Sequence, residues 1–196
     1  TDSLDAGVIS VPLQEAYELP ADAVCGFTMN ALIHRAGGKP EAWPSLTKYR
    51  FDLGSGSFLT HAGYKFDEKT ATRTLLQIFQ LLLALESRRL VFCDLSGKNI
   101  LFDTVRQKPG VVDTDSFKHQ NSESQSTGSP GFVDPRLLEL GLNGIGGYHF
   151  DAKSDIYAAT VLAYQVLMGV MPDSVPSDPP MSSEDMARKR LTWARL

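Results

Sequence analysis

The stretch Val91-Phe-Cys-Asp-Leu-Ser-Gly-Lys-Asn-Ile-Leu-Phe102 decides how this chain is read. It sets a carboxylate, Asp94, five residues before a carboxamide, Asn99, between two apolar runs with the character of buried strands. Further on, a second apolar run ends in Val111-Val112-Asp113. A carboxylate, an amide oxygen and another carboxylate, each at the lip of a buried strand, suit holding Mg²⁺ and aligning a hydroxyl for phosphoryl transfer.

The 196 residues allow one sizeable core, or one lobe plus part of another. Lys and Arg number 19 against 23 Asp and Glu, a formal charge of -4, so no basic excess points to nucleic acid. Cys25 and Cys93 lie far apart inside apolar runs, which predicts free thiols in a reducing compartment and no disulfide framework. No apolar run approaches the roughly 20 residues of a bilayer span. The N-terminus lacks the charged and apolar regions of a signal peptide. The expectation is a soluble, cytoplasmic, globular segment without a membrane partner. Because it begins at Thr1, it reads as a processed or excised piece.

Outward from the central block, Val8 to Val11 and Ala23 to Ile33 read as strands joined by a turn. From His34 to Tyr64 the composition predicts an irregular or partly helical connection, most flexible at Gly54-Ser-Gly-Ser57. A long helix follows. Asp67 is its N-cap, Ala71, Leu75, Ile78, Leu82 and Leu85 form its stripe, and Phe79 and Leu83 widen it. Arg88 and Arg89 fall in its last turn, where positive charge suits the dipole. Leu90 to Phe92, Ile100 to Phe102 and Val111-Val112 read as short strands, with a turn at Lys108-Pro109-Gly110. Ser116 to Ser129 is almost wholly polar and predicts a mobile surface loop. Arg136 to Leu142 reads as a short helix and Asn143 to Gly147 as a bend. Lys153 to Met168, stopped by Gly169, is apolar on nearly every face and predicts a helix in the centre of a domain. A linker, Pro176 to Pro180, precedes a last amphipathic helix opened by Ser182-Ser-Glu-Asp185 and carrying Met186, Leu191 and Trp193.

This order of elements resembles the large lobe of the protein kinase superfamily, in a divergent, bacterial-type Ser/Thr form. The resemblance is carried by Asp94 with Asn99, by Asp113, by Gly128-Ser-Pro-Gly-Phe-Val-Asp-Pro135 and by Ser154-Asp155-Ile156-Tyr157. It implies an α+β, mainly helical fold: a kinase-like C-lobe with a remnant of the N-lobe sheet. Residues 1–33 would hold the last small-lobe strands and the hinge, and residues 34–196 the large lobe. Within it the resemblance places a catalytic loop at 92–99, a metal-binding segment at 111–115, an activation segment at 113–136 and a central helix at 153–168. It further implies ATP and Mg²⁺ as cofactors and a protein as substrate or partner. Met29, Asn30 and Leu32 would lie along the adenine and Leu101 beneath it. Asp94 would orient the attacking hydroxyl, Asn99 and Asp113 would bind Mg²⁺, and Lys98 would neutralise phosphate. Asp155 would brace the catalytic-loop backbone.

Alternatives stand beside these roles. Asp115 is a second candidate ligand, Lys98 reads more readily as a solvated turn charge than as a catalyst, and Asp155 equally as a first-turn helix charge. The pattern also departs from the family. Phe92-Cys93 replaces the usual His-Arg pair before the catalytic Asp, and Ser96 replaces a Lys. Thr114-Asp115 follows Asp113 in place of Phe-Gly, and Asp134-Pro135-Arg136 reverses the charge of the usual anchor. No glycine-rich loop or ATP-pairing Lys precedes Lys39, so the small lobe is expected outside this chain, and the chain alone is expected to be inactive. Three functions follow: a Ser/Thr protein kinase segment, a pseudokinase-like binding module, or another Mg²⁺ site built on Asp94, Asp113 and Asp115.

Overall fold

The computed structural model describes residues 44–61, 63–105, 107–124, 128–129, 131–143, 148–172, 185 and 188–189. Helix α1 (Glu68–Ser87) starts where its charge pattern predicts, Asp67 accepting from Thr70 N at 2.7 Å. Ala71, Leu75, Ile78, Leu81, Leu82 and Leu85 are buried along one face. The stripe is narrower than expected, because Leu83 is 63% exposed and Phe79 is only partly buried. Arg88 and Arg89 fall just beyond the last turn, with Arg88 as the C-cap and its Nη1 donating to Ala84 O at 3.1 Å.

Helix α2 (Pro135–Leu142) begins one residue earlier than the sequence suggests. Helix α3 (Ala152–Met168) opens on a reciprocal capping box of Asp151 and Ser154. It packs on α1 and contributes Ala158, Ala159, Leu162 and Val166 to the main core. The expectation that it is buried all round does not hold among the described residues. Ile156, Tyr164, Leu167 and Met168 lie on the exposed side. The helix ends at Gly169, whose φ of 75° suits glycine and whose Cβ, if present, would lie 1.9 Å from Phe51 O.

The region expected to be irregular is, from residue 44 onward, a 3-10 turn and two antiparallel hairpins. The turn is Leu46–Lys48. Strand β1 (Phe51–Asp52) pairs with β2 (Ser57–Phe58), and β3 (Thr60–His61) with β4 (Tyr64–Lys65). Two-residue strands are too short to leave an alternating signature, which is why composition alone suggested no order. Gly54-Ser-Gly-Ser57 forms the first turn, tied by Ser55 N to Asp52 Oδ2 at 2.9 Å and Gly56 N to Asp52 O at 2.8 Å. The hairpins present rings to a buried aromatic cluster, where Tyr49 stacks on Phe66 at 5.0 Å and Phe102 meets both edge-on.

Strands β5 (Leu90–Val91), β6 (Ile100–Asp103) and β7 (Lys108–Val111) flank the central block, β6 and β7 forming a hairpin with Ile100 opposite Val111. The turn expected at Lys108-Pro109-Gly110 lies earlier: Gln107 has φ 54°, and Val105 N donates to Asp103 Oδ1 at 2.8 Å. Pro109 is accommodated in a strand because, among the described residues, β7 pairs only with β6, leaving an edge that needs no donor. Strand β8 (Lys118–His119) pairs with β5, and β9 (Glu123–Ser124) with β10 (Tyr148–His149). The polar Ser116 to Ser129 stretch is therefore pinned at two places, by backbone pairing that composition does not reveal.

The predicted strands Val8 to Val11 and Ala23 to Ile33, with Met29, Asn30 and Leu32, lie outside the described residues, as does the linker Pro176 to Pro180. Of the Asn143 to Gly147 bend only Asn143 is described, as a turn, and of the last predicted helix only residues 185 and 188–189, which are helical. Cys93 is a free thiol. Among the described residues no helix is long and apolar enough to cross a membrane.

Gly169→Ala is expected to lower the unfolding free energy by at least about 2 kcal/mol in urea titrations. Gly54→Ala, whose Cβ meets only the Asp52 carboxylate at 3.7 Å, should change it by less than about 1 kcal/mol.

Candidate functional site

The central block leaves β5 through Phe92 and turns sharply at Cys93, whose φ is 66°. A non-glycine residue in that region is strained and persists only when its surroundings hold it. Asp155, in the first turn of α3, supplies the hold. Its Oδ2 accepts from Phe92 N at 2.6 Å and its Oδ1 from Cys93 N at 3.1 Å. Of the two roles open to Asp155 on sequence, the geometry gives the bracing one. Burial pushes its carboxyl up to about 6; the two amides oppose the rise and Asp151 adds to it. The same burial, helped by Asp155, pushes the Cys93 thiol up to about 12. A thiol so placed is a packing group and not a nucleophile.

Beyond Cys93 the loop closes on itself. Asp94 N donates to Phe92 O at 2.9 Å, and Asn99 N to Ser96 O at 3.0 Å. Asn99 Nδ2 donates to Asp94 O at 2.8 Å and to Asp94 Oδ2 at 3.0 Å. The carboxylate and carboxamide are thus locked together by the five-residue spacing, with the amide nitrogen turned inward and the amide oxygen left as the ligand atom. The other oxygen of Asp94, Oδ1, is buried without a hydrogen-bond partner. A buried carboxylate oxygen with no donor is costly, and its natural complement is a hydroxyl or a water.

The second carboxylate arrives on the hairpin. Val112 N donates to Asn99 O at 3.0 Å, which sets the residue before Asp113 directly beside the loop. Asp113 itself takes a left-handed conformation, φ 64° and ψ 45°, and its side chain is exposed. The chain then winds through the short turn Thr114–Ser116. Ser116 Oγ sits 2.9 Å from Phe92 O and 2.8 Å from Asp113 O, and Phe117 meets the Phe92 ring edge-on at 4.6 Å. Both attachments hook the Asp113 turn onto the residue that Asp155 holds.

A third strand of chain closes the site. Gly128 has φ 82°, and a Cβ there would lie 2.8 Å from Cys93 O and 3.7 Å from Asp94 Oδ1. Only glycine lets this segment approach the loop so closely. Of the other expected residues, Lys98 is exposed, and Leu101 is buried in β6 opposite Gly110, bridged to Ser45. Ser96 is 1% exposed with its Oγ unpartnered, so no cation reaches phosphate from that position. Ser116 and Gly128 carry contacts that sequence reasoning missed. The only signal available for Gly128 was its place at the head of Gly-Ser-Pro-Gly-Phe.

The donor set fits a hard dication. An amide oxygen and a carboxylate on adjoining backbone suit Mg²⁺, which takes few protein ligands and keeps its waters. Among the described residues no group of three or more His, Cys, Asp and Glu is gathered to hold a metal by itself. An ion held by Asn99 and Asp113 would complete its shell with water or with oxygens of a bound molecule.

Comparison with known proteins points the same way. The sequence pattern of the protein kinase domain matches residues 52–192. A soybean (Glycine max) calcium-dependent protein kinase, SK5, is 29% identical over 119 residues, covering 58% of this chain and 22% of that protein. The probable serine/threonine-protein kinase iksA of Dictyostelium discoideum is 32% identical over 63 residues, covering 32% of this chain and 6% of that protein. The chain spans less than a quarter of the length of these curated relatives.

The raised carboxyl of Asp155 gives a pH signature. Its folded value, about 6, lies above the ordinary 3.8, so the folded state binds the proton more tightly than the unfolded one. Its contribution to stability is complete below about pH 4 and is lost as pH rises through 6, roughly 3 kcal/mol in all. Asp155→Asn should remove that slope from a plot of unfolding free energy against pH.

Proposed function

Since the chain belongs to the protein kinase family, we propose that residues 92–136 form the catalytic and substrate-facing part of an ATP- and Mg²⁺-dependent protein kinase domain that phosphorylates Ser or Thr hydroxyls. The observation that carries this reading is the Asp94–Asn99 lock with one Asp94 oxygen left unpaired and buried. Asp94 Oδ1 orients the attacking hydroxyl and accepts its proton, from a loop held rigid by Asp155. Asn99 and Asp113 hold Mg²⁺, which when bound neutralises charge on the transferring phosphate. Gly128, whose Cβ would lie 3.7 Å from Asp94 Oδ1, would border the path of the incoming hydroxyl. Lys98, exposed on the same loop, adds positive charge for the phosphates. Residues 34–196 are read as the large lobe, and residues 1–33 as the last small-lobe strands and hinge. There Met29, Asn30 and Leu32 would contact adenine, with Leu101 beneath it. The name of one relative, the probable serine/threonine-protein kinase iksA, supports Ser/Thr specificity over other phosphoacceptors.

A second reading, a pseudokinase-like binding module, is favoured by one observation. The buried hydroxyl of Ser96 stands where the family places a Lys, which lowers the positive charge available to the transition state.

With labelled ATP, Mg²⁺ and a Ser/Thr peptide library, the full-length gene product is expected to transfer phosphate. Asp94→Ala and Asp113→Ala should each lower the rate by about 10²-fold or more. Transfer that survives Asp94→Ala rejects the catalytic assignment, and ATP binding with no transfer selects the module.

A further inference from the structure

We propose that Arg136 is a positioning residue: it bridges the end of the segment that starts at Gly128 to the start of α3, and so holds that segment against the Asp94 loop. The bridge is read from geometry alone, whereas its catalytic consequence rests on the kinase reading above.

The guanidinium faces two carboxylates at once. Nε donates to Asp134 Oδ1 at 3.1 Å and Oδ2 at 3.0 Å, and Nη2 also contacts Asp134 Oδ2. On the other side Nη1 donates to Asp151 Oδ2 at 3.2 Å and Nη2 to Asp151 Oδ1 at 2.9 Å. This is the forked, doubly bidentate arrangement that only a guanidinium makes.

Both partners are placed to transmit it. Asp134 is 5% exposed and its Oδ1 also accepts from Arg136 N at 2.9 Å, so without the guanidinium a buried carboxylate loses its counter-charge. Asp151 is the N-cap of α3, accepting from Ser154 N at 3.0 Å, one turn before the Asp155 that grips Phe92 and Cys93. One cation therefore joins the residue that ends the Gly128 segment to the helix end that shapes the catalytic loop. An apolar joint runs alongside, with Val133 and Leu137 packed on Phe150 and on Val91, the residue before Phe92. Arg136 also holds the Asp151 carboxyl down to about 2, which keeps the bridge ionised at any physiological pH. In a kinase-like arrangement the residue after Pro135 is expected to be acidic. Here it is basic, and it finds both of its acids locally.

Arg136→Gln tests this in the full-length protein. Backbone amides of residues 131–137 should exchange with solvent about tenfold faster. The KM for peptide should rise about fivefold or more, while the KM for ATP stays unchanged. Asp151→Asn is the sharper companion, because Asn caps a helix as well as Asp and removes only the charge. It should reproduce both effects, and the double variant should be no worse than either single one. Arg136→Lys, which keeps charge without the fork, should recover only part of the protection. Unchanged exchange in both single variants, or fully additive effects in the double, overturns the proposal. If the unmodified protein transfers no phosphate, the kinase reading fails, and the exchange arm still decides the bridge.

Discussion

One buried carboxylate sets the geometry on which the site depends. Asp155 gives each of its oxygens to one of two consecutive backbone N–H groups, those of Phe92 and Cys93. Those bonds stabilise a left-handed residue in front of Asp94, and that kink aims the Asp94 side chain at Asn99. Phe92 is also the attachment point for Ser116 and Phe117 from the Asp113 turn. The carbonyl of Cys93 is the surface against which Gly128 lies. Loop, Asp113 turn and closing segment therefore share two residues held from one helix end. Because α3 packs on α1, and α1 carries the chain into β5, the main core fixes the height of that end.

This arrangement explains which departures from the family pattern the fold tolerates. The Phe92-Cys93 pair keeps its backbone role, which needs only N–H groups, while its side chains are repurposed for packing: the Phe92 ring meets Phe117 and the Cys93 thiol is pushed out of reactive range. Ser96 is buried, its hydroxyl unpartnered, where the family pattern has a Lys. The Asp134-Pro135-Arg136 reversal is absorbed by local acids. What these changes alter is charge around the Asp94 loop, and the backbone frame is left intact.

Much of this was legible in the sequence wherever a helix carried the signal. Asp67 is a good cap, three- and four-residue apolar steps located α1, and a run apolar on nearly every face with a clear stop at Gly169 located α3, each within a residue or two. Their exposed faces were not legible, because Leu83 and Ile156 are as apolar as their buried neighbours and only the packing partners distinguish them. The two-residue strands at 51–65 left no period to read, and the polar stretch after Ser116 hid pairing that is wholly backbone. At the site, Asp94, Asn99 and Asp113 stood out by spacing. Ser116, Gly128 and Arg136 did not, since their roles come from residues 15 to 35 positions away that meet them only in the fold.

The most direct test of the central claim is a pH titration of the backbone amide resonances of Phe92 and Cys93 in ¹⁵N-labelled protein. Two N–H groups bonded to one ionised carboxylate should resonate downfield at neutral pH and move together, with a midpoint near 6 that is lost in Asp155→Asn. Amide shifts at ordinary loop values, indifferent to pH and to Asp155→Asn, would contradict the account, because the Phe92 and Cys93 N–H groups would then not be held by the Asp155 carboxylate.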